Sequence, residues 1–201
     1  MDALLRLSHK IDSFSELIGK LIRWLVLAAV LISAGNALLR KTLNIGSNAF
    51  LEIQWYLFAG VFMLGAGYVM LKNAHVRIDF ISARLSERTN AWIDIAGMVI
   101  FTVPLSLIMV SLSWPLFEQA WTSGEMSQNA GGLIRWPVLL LIPTGFALLI
   151  VQCASELIKR VGFLTGHRAH AFSGEVGGKS AEELLAEELA AAAEKKLQGA
   201  R

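Results

Sequence analysis

Ala49 to Leu71 reads "AFLEIQWYLFAGVFMLGAGYVML", and after Lys72 the chain continues, from Asn73 to Phe80, as "NAHVRIDF". The first stretch holds a single charged residue, Glu52, close to its start. A hydrocarbon core about 30 Å thick takes roughly 20 apolar helical residues. The stretch therefore reads as a membrane span, and the octet after it as the place where the chain re-enters water. Working outward, three more segments meet the same test: 21–39, 91–117 and 136–158. None alternates as a barrel strand would, so helices are the spanning form that remains. Pro104 and Pro143 fall inside spans and are expected to kink them.

Composition agrees. Of 201 residues, 55% are hydrophobic and 17% charged, against about a quarter charged in a soluble domain. Mean hydropathy is +0.55. A net charge of +2 without a basic stripe gives no reason to expect nucleic acid as a partner. The single cysteine, Cys153, allows no disulfide within the chain. The first apolar run begins late, near Leu21, and no small-residue cleavage site follows it, so it is read as a span and not as a leader.

The distribution of Lys and Arg sets an expected orientation. Eleven cations fall on one side: Arg6, Lys10, Lys20, Arg23, Lys72, Arg77, Arg84, Arg88, Lys159, Arg160 and Arg168. Three fall on the other: Arg40, Lys41 and Arg135. Both termini and the octet are thus expected in the cytoplasm. The fold class expected is an all-α membrane protein with four transmembrane helices, amphipathic segments at the N-terminus and between spans, and a C-terminal soluble helix. Residues 1–20 carry Leu4, Leu7, Ile11, Phe14, Leu17 and Ile18 at helical spacing. This segment either lies on the membrane surface or extends the first span. Residues 161–179 read as a linker, and 180–201 as an appended helix that Ser180 can cap with Glu183.

Chemistry is harder to find. His9, His75, His167 and His170 lie outside the spans, no HExxH or P-loop spacing occurs, and no nucleophile motif forms. Glu52, Asp94 and Glu156 sit near span ends, where an interfacial role is the cheaper one, and Lys20 and Arg23 can snorkel. No catalytic residue, metal site or cofactor is expected, and the chain does not read as an enzyme. The spans do offer packing surface. Gly60 and Gly67 share a face of the second span, and Gly145, Gln152 and Glu156 align on the fourth. In the octet region Asp79 can cap a short helix while Arg77, Arg84 and Arg88 meet headgroups or a partner, although a plain solvated loop would carry the same residues. His75, Arg77, Asp79, Arg84, Glu52, Gly60, Gly67, Gly145 and Gln152 are the candidates for an interface with a partner or lipid.

Gly65 and Ala66 followed by "HVRID" at residues 75–79 resemble a pattern of the small membrane subunit of TRAP transporters, the tripartite ATP-independent periplasmic (DctQ-like) family. "SQNAGGLIRWPVLLLIPTGFALLIVQ", 127–152, is similar to that family's closing segment, and Glu52 ahead of Trp55 and Tyr56 fits as well. The resemblance implies a scaffold subunit in a bacterial inner membrane. Its partners would be membrane lipids and a large multi-span subunit, which carries the sodium and substrate sites. A periplasmic binding protein would deliver an organic acid. The alternative class is a stand-alone small carrier or channel, which would need a polar site at mid-depth that these spans do not display.

Overall fold

The computed structural model describes residues 2–44, 46–74 and 85–167. Four helices in this part are long and apolar enough to cross a membrane. They are α1 (Asp2–Thr42), α2 (Asn48–Leu71), α3 (Glu87–Ser123) and α4 (Trp136–Leu164). The octet candidates His75, Arg77, Asp79 and Arg84 lie outside the described residues, as do 168–179 of the linker and the appended helix 180–201.

The segment before the first span is continuous with it. α1 is one unbroken helix of 41 residues. At about 1.5 Å per residue it is roughly 60 Å long, twice the hydrocarbon core. Its inward face is made of small and polar side chains, with Ser8, Ser15, Ala29 and Asn36 all buried. These recur at multiples of seven, the repeat of a left-handed helix seam. The large apolar residues Leu4, Leu7, Phe14, Leu17 and Leu21 point outward. The polarity is the reverse of a soluble helix, as expected of a segment whose apolar side chains meet the membrane interface.

α4 is the hub. It packs on α1, α2 and α3, and α2 also packs on α1. α3 touches α4 and has no comparable contact with α1 or α2 among the described residues. The result is an open row rather than a closed four-helix bundle. α3 therefore leaves a broad apolar face uncovered, with Phe101 71% exposed and Ile100, Leu105, Leu112 and Leu116 also outward.

α2 and α4 meet at their backbones. A Cβ at Gly145 would lie 2.6 Å from the Met63 carbonyl oxygen, so no larger residue fits without moving a helix. At Gly67 a Cβ would be 3.5 Å from the Leu148 carbonyl oxygen, and at Gly60 3.6 Å from Leu25 and 3.8 Å from Leu141, which are ordinary contacts. α1 approaches α2 at Gly19, where a Cβ would fall 2.5 Å from the Tyr68 ring.

Pro104 has a local solution. Residues Met98–Thr102 form a π-helical turn immediately before it. The Val103 amide donates to the Met98 carbonyl five residues back. The wider turn accommodates the proline, which has no N–H to give and would clash with a carbonyl four residues back.

The glycine contacts generate a prediction. Gly145→Ala should destabilise the detergent-solubilised protein by about 1–3 kcal/mol, and Gly60→Ala by clearly less. Thermal unfolding of the two variants side by side measures this; equal losses would show that α2 and α4 are not in backbone contact at Met63.

Candidate functional site

Two polar assemblies stand at opposite ends of the helix row. The first is organised by Glu52, which is only 2% exposed in the first turns of α2. Its carboxylate accepts hydrogen bonds from the Ser127 hydroxyl, from Asn129 Nδ2 at 2.8 Å and from the Leu133 amide at 2.6 Å. All three donors come from the connection between α3 and α4. Gly124 opens that connection in a left-handed conformation (φ 63°) that suits glycine. The connection then doubles back, with Met126 bridged to Ile134 and Ser127 N–H donating to the Leu133 carbonyl at 2.9 Å. A Glu125–Arg135 ion pair closes it. Asn48 Nδ2 donates to the Ala130 carbonyl at 2.9 Å and the Tyr56 hydroxyl to the Ile134 carbonyl at 3.2 Å. Gly132 lies against Ser127 and Glu52 so closely that a Cβ would fall 2.8 Å from the carboxylate. Glu52 thus serves as the template on which the connection is folded.

The second assembly occupies the other end. Gln152, Ser155, Glu156, Lys159 and Arg160 recur at three- and four-residue intervals, on one face of α4. All five are buried, Lys159 to 1% exposure. From α1, Asp12 accepts from Ser155 Oγ at 2.7 Å, Gln152 Nε2 at 3.0 Å and Lys159 Nζ at 3.0 Å. Ser15 Oγ donates to Gln152 Oε1 at 2.6 Å, and Ser155 Oγ approaches the Ser8 carbonyl at 3.2 Å. Lys159 and Arg160 both donate to Glu156. Arg160 continues to Asp94 of α3 at 3.1 Å. One connected network therefore ties α1, α4 and α3 together.

Each ion in that network carries a desolvation cost, and mutual attraction roughly offsets it. The net contribution of a buried pair is small, whereas removing one partner costs about 3–5 kcal/mol. The network acts as a register device: a helix that slips by one residue strands a charge in a dry interior. The arrangement suits holding, since every charged group in it is engaged by another group of the chain. Among the described residues, no three of His, Cys, Asp and Glu are placed to hold a metal ion.

The structure brings Glu52, Gly60, Gly67, Gly145 and Gln152 inside the chain, where their contacts are with neighbouring helices or with the α3–α4 connection. The sequence reading joined Gly145, Gln152 and Glu156 but missed Lys159, Arg160, Asp12 and Asp94 as members of one cluster. It took Lys159 and Arg160 for flanking cations, and Asp94 and Glu156 for interfacial carboxylates. The available signal was the step of seven from Gly145 to Gln152, which continues to Lys159.

Two outcomes follow. Lys159→Met should lower stability by about 3–5 kcal/mol, because it leaves Asp12 and Glu156 facing a methyl group. Lys159→Met combined with Asp12→Leu should recover part of that loss in thermal unfolding; additive losses would contradict the pairing. Glu52→Ala should speed hydrogen exchange at the Leu133 amide by roughly tenfold or more, and an unchanged rate would remove Glu52 from its place beneath the connection.

Comparison with protein-family models matches residues 29–162 to "Tripartite ATP-independent periplasmic transporters, DctQ component". Comparison with curated proteins and with solved structures gave no match. The matched region contains α2, α3, all but the last two residues of α4, and α1 from Ala29 onward, with Glu52, its connection, and the α3 and α4 members of the ionic network. Asp12, Ser8 and Ser15 precede it. With two thirds of its residues in that match and four helices able to cross a membrane, the chain is a multi-pass membrane protein that belongs to the DctQ component family of the tripartite ATP-independent periplasmic transporters.

Proposed function

We propose that this chain is the small scaffold subunit of a sodium-coupled TRAP transporter and braces a large transport subunit. The observation that carries the reading is the combination of the family match with the open row of helices. The buried polar side chains are spent on joining helices of the same chain, while α3 keeps a wide apolar face turned outward. Lipid can cover such a face as well as protein can, so the face leaves room for a membrane-embedded partner and the family match is what supplies one.

In this reading the sodium and substrate sites lie on the large subunit, a periplasmic binding protein delivers an organic acid, and the small subunit takes no part in chemistry and needs no cofactor. It sits in the bacterial inner membrane with both termini in the cytoplasm, as the excess of Lys and Arg at that end supports. Glu52 and the connection folded on it then face the periplasm.

The test is reconstitution in liposomes with a sodium gradient. The chain alone should give uptake at the background of empty vesicles, and uptake should appear when the large subunit and the loaded binding protein are added. Substrate accumulation by the chain alone would overturn the scaffold reading.

A further inference from the structure

Lys20, Arg23, Trp24 and Leu27 border a shallow, largely open groove along the surface of α1 itself. Their spacing of three and four residues places them on one strip of the helix. Trp24 is 70% exposed, and Leu27 and Leu31 continue the strip outward. Neither Lys20 nor Arg23 forms a salt bridge with a described residue. Glu16, one turn before Lys20, is already engaged by Lys72 at 2.8 Å. The corner therefore presents Lys20, Arg23 and Lys72 around Glu16, and the nearby Asp12 is already taken by Lys159, which leaves a surplus of positive charge on an exposed surface.

The depth of this corner is fixed by the sequence. Trp24 to Leu39 contains no charged residue, and at about 1.5 Å per residue this run spans roughly 24 Å, most of the hydrocarbon core. Lys20 and Arg23 are the last cations before it, which puts them at the level of lipid phosphates. The Trp24 indole suits the same boundary, and Leu27 and Leu31 lie below it among acyl chains.

We infer that this strip is a binding site for an anionic phospholipid. The phosphodiester is held between the Lys20 ammonium and the Arg23 guanidinium, whose paired donors match phosphate oxygens. The upper part of one acyl chain runs along Trp24 and Leu27. A zwitterionic headgroup would bring its own cation into a corner that already has a surplus, so the site discriminates by headgroup charge. The inference is independent of the scaffold reading.

The experiment is native mass spectrometry of the full chain in mild detergent, with phosphatidylglycerol or phosphatidylcholine added at equal concentration. The wild-type chain should retain phosphatidylglycerol over phosphatidylcholine by roughly tenfold or more, as two cations near a lipid surface provide. Lys20→Gln with Arg23→Gln should abolish that preference. Arg6→Gln with Lys10→Gln, equal in charge removed but outside the groove, should keep it, and millimolar inorganic phosphate should not displace the lipid. Equal retention of the two lipids by wild type, an unchanged preference in the groove variant, loss of preference in the control variant, or displacement by free phosphate would each overturn the site.

Discussion

Large apolar side chains gain nothing by leaving lipid for one another, so helices in a bilayer associate through close backbone approach and through polar groups that lipid cannot satisfy. Lys159 and Arg160 of α4, both engaging Glu156 and reaching Asp12 on α1 and Asp94 on α3, are the fullest use of that constraint in this chain. The network fixes three helices in register at one end. Glu52 fixes the fourth, α2, to the α3–α4 connection at the other. Between the ends, Gly145 lets α4 touch the backbone of α2.

The proposed role as a support and not a conduit rests on this division. A transport site must offer ligands that a passing solute can take up and release. Here the carboxylates of both assemblies are already occupied by donors of the same chain, and the assemblies lie near the ends of the helices. Among the described residues the broad outward surfaces are apolar, namely the face of α3 and the large side chains from Leu4 to Leu21 on α1, with Lys20, Arg23 and Lys72 as a basic corner beside them. The length of α1 follows from the same logic. Asp12, Ser8 and Ser15 hold its first half against α4, so the helix runs on past the span without a break.

Much of the fold was legible because span length and hydropathy are local properties. α2 ends at Leu71, where its apolar run ends; at Pro104, where a kink is expected, a π-helical turn precedes the proline, while α4 runs as one helix through Pro143. The span ends at 117 and 158 fell short of the helix ends at Ser123 and Leu164, since a helix does not stop where its apolar run does. The polar assemblies were only half visible. Glu52 and the segment 127–152 each stood out, yet nothing local says that Ser127, Asn129 and Leu133 converge on that carboxylate. Asp12 was hidden more thoroughly. In soluble proteins the apolar stripe marks the buried face, and Leu4, Leu7 and Phe14 drew attention to the side of α1 that faces out.

Cysteine cross-linking across α1 and α4 tests the central claim most directly. In a Cys153→Ser background, Ser8→Cys paired with Ser155→Cys should oxidise readily to a disulfide in membranes, because the Ser155 hydroxyl lies 3.2 Å from the Ser8 carbonyl and neighbouring helices at that range suit disulfide geometry. Lys10→Cys paired with Ser155→Cys should remain reduced, since Lys10 is exposed and lies about 200° round the helix from Ser8. A reduced first pair, with the second pair cross-linked or also reduced, would mean that the first half of α1 does not stand against α4, and the network holding the helices in register would not exist as described.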